Sequence, residues 1–499
     1  MLLPESLEDY IAADHPVRFL DAFVEGLRLE RCGFARTRAA ETGRPPFAPA
    51  DLLKLYLWGY LNKVRSSRRL EAECGRNLEV IWLMGKLRPD FKTIADFRKD
   101  NAGAFKSVFR QFNLLCRELG LFGAELVAID GTKLKAVNNP RRNYSRGQLS
   151  AWLEKIDARL SEFLGALDQA DAGEEASELK PDKGNLQQKI EALRERQKQV
   201  QAAIEEMDKS GTNEVSLTDP ESRRMPRGEV GYNAQIAVDA KHKLIVAQEV
   251  INNASDYGQL CAMAREAKEA LAADHFQAVA DRGYYDGVEI AACEALGVET
   301  YIARPQKGSS VAAGRFSKEQ FSYDAEKDTY GCPGGQTLSR ETEWLKRGEP
   351  HIAYSHARAC RQCPLKAQCT TADYRRITRW ASEAVLERMQ ERMAARPEII
   401  RRRGALVEHP FGSIKFWMEQ RAFLMRGLKK VRAEFSLSAL AYNLKRAINI
   451  LGVEKLREGL KTAFARLECL LQSNRAVAME RSIIRRSSSP TAAQTLALA

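Results

Sequence analysis

The sequence predicts a mixed α/β protein, and three observations carry that prediction. Two short apolar runs, Glu125 to Asp130 and His275 to Asp281, each end in an acid, with a glycine close behind at Gly131 and Gly283. That is the pattern of a buried strand with a carboxylate at its C-terminal end. Between them, Gly231–Asp239 and Leu244–Val250 alternate in polarity around His242-Lys243, which reads as a hairpin added to the same sheet. Helical periodicity surrounds these segments, so strand, hairpin, helix, strand, helix and strand follow one another as in a layered α/β core.

The composition bounds the function. The chain has 499 residues, 44% apolar and 29% charged, with a mean hydropathy of −0.41. No apolar run approaches the roughly 18–20 residues that span a bilayer, so no membrane partner is expected. The first ten residues carry Glu5, Glu8 and Asp9 where a secretory signal has a basic and then an apolar region, so the expectation is a cytoplasmic protein. Its net charge of +12 and pI near 9.1 favour a polyanionic partner such as nucleic acid. A basic enzyme with no such partner is the other reading.

Taken in order, the N-terminal part is helical. Ala50–Leu61 reads as a buried helix with Pro49 at its first turn. A second helix runs from Leu70 to about Met84 behind the turn Arg65-Ser-Ser-Arg68-Arg69, with Ser66 or Ser67 as N-cap. A third starts at Thr93, where Thr93-Ile-Ala-Asp96 resembles a capping arrangement, and carries Phe97, Phe105, Phe109 and Phe112. Short helices with basic turns suit a helix-turn-helix DNA reader, or a scaffold with a solvated basic face. After the first strand, Leu149 to Leu167 and Leu186 to Ile204 repeat apolar residues at helical spacing and predict an inserted antiparallel helical hairpin with a turn at Asp171–Gly184. A helix at Asp256–Ala272 precedes the second acid-ended strand, a helix at Gly287–Ala295 follows it, and a strand at Glu299–Ala303 comes next. Beyond Lys307 the chain turns polar and short-stranded to Trp380. A basic helix is expected from Glu383 to about Arg403, then two amphipathic helices, then a structureless tail.

Four of the ten cysteines cluster: Cys332, Cys360, Cys363 and Cys369. One close C-x2-C pair and a Pro-Gly turn beside Cys332 suit structural zinc; unliganded thiols and an iron–sulfur cluster are the alternatives. His351 and His356 are candidates to replace one of the thiols.

Asp130, Asp281 and Glu408 form the candidate catalytic and metal-binding set. Phosphodiester cleavage by two divalent ions needs a few carboxylates to hold them, and adjacent strand ends plus a packed helix can supply these. Glu408 precedes Lys415 by seven residues, two α-helical turns, so the pair is expected on one helical face. Each acid taken singly reads more readily as a turn or surface residue than as a functional one.

At this point the sequence resembles the bacterial insertion-sequence transposases of the DDE type. The resemblance is carried by His15-Pro-Val-Arg-Phe-Leu-Asp21, Gly43-Arg-Pro-Pro46, the stretches from Leu61 to Glu71 and Leu87 to Arg98, and, in the core, Ala128–Lys133, Gly231–Gln235, Val279–Tyr285 and Val407–Gly412. It implies a ribonuclease-H-like core with Asp130, Asp281 and Glu408 holding Mg²⁺ or Mn²⁺. It further implies that Lys415 contacts DNA, with Arg403, Arg401, Arg68 and Arg69 as further DNA-binding candidates. The implied activity is binding of terminal inverted repeats in double-stranded DNA, metal-dependent cleavage and strand transfer, by at least a dimer. A DNA-binding derivative without catalysis, or a nuclease that does not join strands, are the rivals. The expected organisation is a helical end-binding domain at 1–122, a catalytic core at 123–306 and 381–470 with the hairpin at 145–210, a cysteine-bearing insertion at 307–380 and a tail at 471–499. Relatives often show Y-x2-R-x3-E-x6-K, whereas Arg401 and Gly404 stand in the tyrosine and arginine slots, leaving Arg403 as substitute. Pro410 predicts that Glu408 sits in a first helical turn or beside a kink.

Overall fold

The computed structural model describes residues 6–38, 46–172, 183–226, 228–305, 313–346 and 348–487, with the backbone alone described for 169–172, 183 and 463–487. The first third is helical: α1 Pro16–Glu25, α2 Leu29–Cys32, α3 Pro49–Leu61, α4 Ser67–Arg76, α5 Leu78–Leu83, α6 Phe91–Asp100 and α7 Ala104–Glu118. Proline at the first helical position starts both α1 and α3, where its missing N–H costs nothing.

The helix expected from Leu70 to Met84 is two. Asn77 breaks it, its side-chain oxygen accepting from the amides of Glu79 and Val80, so it caps the second piece. Likewise the cap of α6 is Asp90, which accepts from Lys92 and Thr93, and not the Thr93–Asp96 arrangement. Phe97 and Phe105 then lie on separate helices, α6 and α7, divided at residues 101–103, yet their rings meet edge to face at 6.0 Å.

After α7 come β1 Leu126–Lys135 and the short β2 Asn143–Ser145, which precede the hairpin α8 Arg146–Ala172 and α9 Lys183–Ser210. The expected turn at 171–184 falls largely on 173–182, outside the described residues. Then follow β3 Glu214–Ser216, β4 Arg223–Arg224, β5 Val230–Asp239, β6 Ile245–Ile251, α10 Leu260–Leu271, β7 Phe276–Ala280, α11 Gly287–Ala295 and β8 Val298–Ile302.

The main sheet has the order β4-β5-β1-β7-β8, with β6 also pairing β5. Strands β1 and β6 pair antiparallel with β5, whereas β1, β7 and β8 are parallel to one another. The parallel pairs require crossovers, and α10 and α11 supply helices for them.

A second, five-stranded antiparallel sheet is formed by β9 Ser322–Asp324, β10 Thr329–Gly331, β11 Thr337–Lys346, β12 Glu349–Ser355 and, beyond the short helices α12 Ala357–Arg361 and α13 Lys366–Cys369, β13 Arg376–Trp380. The single basic helix expected at 383–403 is divided into α14 Glu383–Ala395 and α15 Glu398–Gly412. Pro397 is the cause: it disfavours α geometry at Arg396, which has φ −133° and ψ 63°. The last segment, α16 Leu428–Ser487, is broken at Gly452, where φ is 77°. It is helical across 471–487, where a structureless tail was expected; residues 488–499 lie outside the described residues.

Packing divides the molecule differently from secondary structure. One continuous cluster of buried residues runs from Ile11 in the helical part through β1, β5 and β7 to Leu460. Residue 122 therefore marks a change from helix to sheet and no break in the core. The hairpin has its own small cluster around Leu149, Ile156, Val200 and Met207, and the five-stranded sheet has another around Phe321, Tyr330, Leu338 and Tyr354.

Candidate active site

Strands β1 and β7 are parallel and in register through Ile129 and Ala280, so the next residue on each, Asp130 and Asp281, emerges at the same sheet end. The charge of Asp281 pushes the Asp130 carboxyl up, adding to burial, the larger cause; the Arg403 guanidinium and the Gly131 amide act in the opposite direction. Asp130 Oδ2 accepts from Arg403 Nη1 at 2.7 Å, and Oδ1 from the Gly131 amide at 2.8 Å. Asp281 caps a single turn of 3-10 helix over Arg282–Tyr284 and accepts from the Gly283 amide at 2.7 Å. Among the described residues Asp281 forms no ion pair, and its one donor is the Gly283 amide, whereas Asp130 is paired with Arg403.

Sequence reasoning missed a third acid at this end. Asp256, in the loop between β6 and α10, accepts on Oδ1 from Lys133 Nζ at 2.9 Å, Asn233 Nδ2 at 2.7 Å and Gln235 Nε2 at 2.7 Å. Gln235 in turn accepts from the buried Tyr284 hydroxyl. The charges of Asp256, Asp130 and Asp281 add to burial in raising that hydroxyl well above its ordinary value. A signal existed: Asn233 and Gln235 are polar residues two apart on one face of a strand that is buried throughout, where apolar side chains are expected.

Glu408 is brought near this end by its helix, because α15 packs on β1 and β7. Its own carboxylate turns elsewhere. Oε1 lies 3.3 Å from where a Cβ on Gly404 would stand, and the residue is exposed. Arg403, which does reach Asp130, precedes the buried Val407 by about one helical turn, and Glu408 is about 100° further round. Among the described residues, no three His, Cys, Asp or Glu side chains stand close enough to hold a metal ion. The fit of the acids to a divalent cation therefore rests on Asp130 and Asp281, a repelling pair with one guanidinium already seated on it.

Pro410 lies inside α15 near its C-terminal end, so Glu408 is not in a first turn. The helix passes directly into a wider π turn over Ser413–Trp417. Lys415 lies on that turn, so the α-helical register expected between Glu408 and Lys415 does not carry through. Its ammonium donates to the hydroxyl of Thr132, two residues beyond Asp130 on β1. Lys415, Lys133 and Lys135 line a groove of about 330 Å³ that leads from Gly131 along β1.

Of the other predicted DNA-binding side chains, Arg401 and Arg69 are exposed and Arg68 lies 5.1 Å over the Phe91 ring. Arg403 is engaged by Asp130 and does not face outward as expected. Two cations that the sequence did not single out, Lys63 and Lys445, face the ring of Trp417 at 5.0 and 2.8 Å from its centroid.

The four cysteines line one small apolar pocket with Phe316, Phe321 and Leu365. Cys332 Sγ accepts from the Gln336 amide at 3.3 Å, and a Cβ on Gly334 would meet the sulfurs of Cys363 and Cys332 at 3.5 and 3.6 Å. Burial, and then Cys360, Cys332 and Cys363, push the Cys369 thiol up. His351 and His356 are not substitute ligands: His351 meets the Glu349 carbonyl and stacks on Trp344, and His356 caps α12.

Comparison with known families finds matches in two segments of the chain. Residues 5–100 match a transposase domain family, DUF772, and residues 331–448 match a transposase DDE domain family. The chain is a DNA transposase, an enzyme that depends on divalent metal. Together the two matches support an insertion-sequence transposase of the DDE type. The second match takes in all four cysteines, Glu408 and Lys415, whereas Asp130 and Asp281 lie outside both matches. No curated protein matches the chain. Among solved structures, a piggyBac transposase synaptic complex with hairpin DNA aligns over 95% of this chain and 82% of its own at 8% identity, with a TM-score of 0.32; a likeness of that size does not define a shared fold. Among the described residues no helix is long and apolar enough to cross a membrane.

Proposed function

We propose that the chain binds the terminal inverted repeats of its element, nicks them at Asp130, Asp281 and Glu408, and joins the freed 3′-hydroxyl to target DNA. The observation that carries this reading is the pair of acids at neighbouring ends of β1 and β7, with the helix of Glu408 packed on the same strands. Three antiparallel strands followed by two parallel ones, in the order β6-β5-β1-β7-β8, support a ribonuclease-H-like core.

Asp130 and Asp281 would hold Mg²⁺ or Mn²⁺, and Glu408 would complete the set after swinging from Gly404 towards the strand ends. When bound, such ions activate a water and stabilise the leaving oxygen. The chain's own cations do the rest of the work. Lys415 and Lys133, on either side of the groove along β1, would hold the phosphodiester backbone, and Arg401, Arg68, Arg69, Lys63 and Lys445 would extend that track without reading bases. Cys332, Cys360, Cys363 and Cys369 would hold a structural zinc ion after drawing closer together than they stand among the described residues. Their shared pocket and the N–H···S contact at Cys332 support this. Two element ends must meet for joining, so the active species is at least a dimer.

Supercoiled donor DNA carrying both repeats, incubated with protein and Mg²⁺, tests the reading. Nicking at the repeat ends followed by joined product is expected. Absence of nicking at saturating protein would leave a DNA-binding protein, and nicking without joining would leave a nuclease.

A further inference from the structure

Asp256 is the most heavily engaged carboxylate at the active end, and the reading above gives it no task. Its Oδ1 takes three donors from two different strands: Lys133 of β1, and Asn233 and Gln235 of β5. Its position explains one glycine. A Cβ on Gly131, the residue after Asp130, would come within 2.4 Å of Asp256 Oδ1 and 2.3 Å of Gln235 Nε2, so glycine lets this cluster lie against the backbone. On the other side, Asp256 Oδ2 comes within ordinary contact distance, 3.8 Å, of where a Cβ on Gly283 would stand, two residues after Asp281. The carboxylate thus lies between the two turns that carry the acid pair. The turn after β7 is reached through Gln235, which binds Asp256 with its amide nitrogen and accepts from Tyr284 with its oxygen. Asn233 is fully buried and its Oδ1 has no hydrogen-bond partner, so the cluster also holds an acceptor in reserve beside Gly131.

We propose that Asp256 is a positioning residue that fixes the spacing of the Asp130 and Asp281 carboxylates by tying the end of β1 and the turn after β7 to β5. It acts through the donors on its Oδ1, Lys133 of β1 and Gln235 of β5, and through Gln235 on Tyr284. This rests on the reading of Asp130 and Asp281 as the metal-holding pair. Partners that orient metal ligands change metal affinity by about 10–100-fold when removed.

The test follows Mn²⁺ bound to the full chain by electron paramagnetic resonance, alongside thermal unfolding without metal. Asp256→Ala should raise the half-saturating Mn²⁺ concentration about 10–100-fold. Asp256→Asn, which keeps one acceptor oxygen, should restore part of the loss. Tyr284→Phe keeps the buried ring, removes only the link to Gln235 and should shift in the same direction; it decides the matter if Asp256→Ala fails to fold. Wild-type protein that binds Mn²⁺, with folded variants that bind it equally well, would overturn the inference alone. Wild-type protein that binds no Mn²⁺ would overturn the metal site and this inference with it.

Discussion

The acid end of the six-stranded sheet and the cysteine pocket of the five-stranded sheet both gather ligand-type side chains, and they do so by opposite means. At the acid end the ligands are far apart in sequence and already engaged: Arg403 sits on Asp130, the Gly283 amide on Asp281 and three donors on Asp256. In the cysteine pocket, Cys360, Cys363 and Cys369 lie within ten residues of one another and the walls are apolar. A polar cradle that compensates charge before a cation arrives can exchange the cation and its substrate. An apolar pocket that pushes a thiol such as Cys369 up favours a thiolate only when a metal holds it. On the reading proposed above, the contrast is that of an exchanging site with a structural one.

The largest effect that would sharpen this contrast belongs to the acid pair. Asp281→Asn or Asp130→Asn should lower nicking of supercoiled donor DNA by at least about a thousandfold, taking some 4 kcal/mol for the lost metal contribution, with repeat-end binding kept in a gel-shift assay. Next comes Cys360→Ser combined with Cys363→Ser. Zinc by elemental analysis should disappear, and amide exchange should accelerate through residues 322–380 while β1 and β7 keep their protection. Loss of protection in both sheets would break the comparison. Arg403→Met should destabilise the fold by roughly 1–2 kcal/mol in urea unfolding, less than a fully buried pair because both partners are partly exposed.

The smallest effect concerns the joint between the helical part and the core. Glu434 is fully buried, accepts from the Leu424 and Met425 amides and lies 3.8 Å from Arg65. Burial raises its carboxyl above the ordinary range, against Arg98, Arg65 and those amides. A raised folded-state value means its contribution to stability is full below the unfolded value and is lost as pH rises through the folded one. The melting temperature of wild type relative to Glu434→Gln should therefore fall as pH rises above the ordinary carboxylate range. A constant difference would contradict the assignment.

How much of this was legible in the sequence depended on whether the cause was local. The placement of Asp130 and Asp281 at neighbouring strand ends was legible because a strand, an acid and a glycine form a local pattern. The sheet class followed from the same runs and the Gly231–Val250 hairpin. Helix breaks were misjudged where a side chain acts on its own backbone: Asn77 and Asp90 cap helices that apolar periodicity alone would merge or misplace, and Pro397 divides one basic helix into two. Asp256 was invisible because its role exists only once β1, β5 and the turn after β7 are assembled. Glu408 was picked out by its spacing from Lys415 in a basic stretch, and its orientation against Gly404 could not be read from that spacing, since a π turn resets the register before Lys415.

The central claim is that Glu408 joins Asp130 and Asp281 around a shared cation. Fe²⁺ substituted for Mg²⁺ generates hydroxyl radicals at its site when ascorbate and peroxide are supplied, and these cut the polypeptide nearby. The account predicts cleavage of the DNA-bound protein at three places, next to residues 130, 281 and 408. Cuts at the first two with none near Glu408 would contradict it.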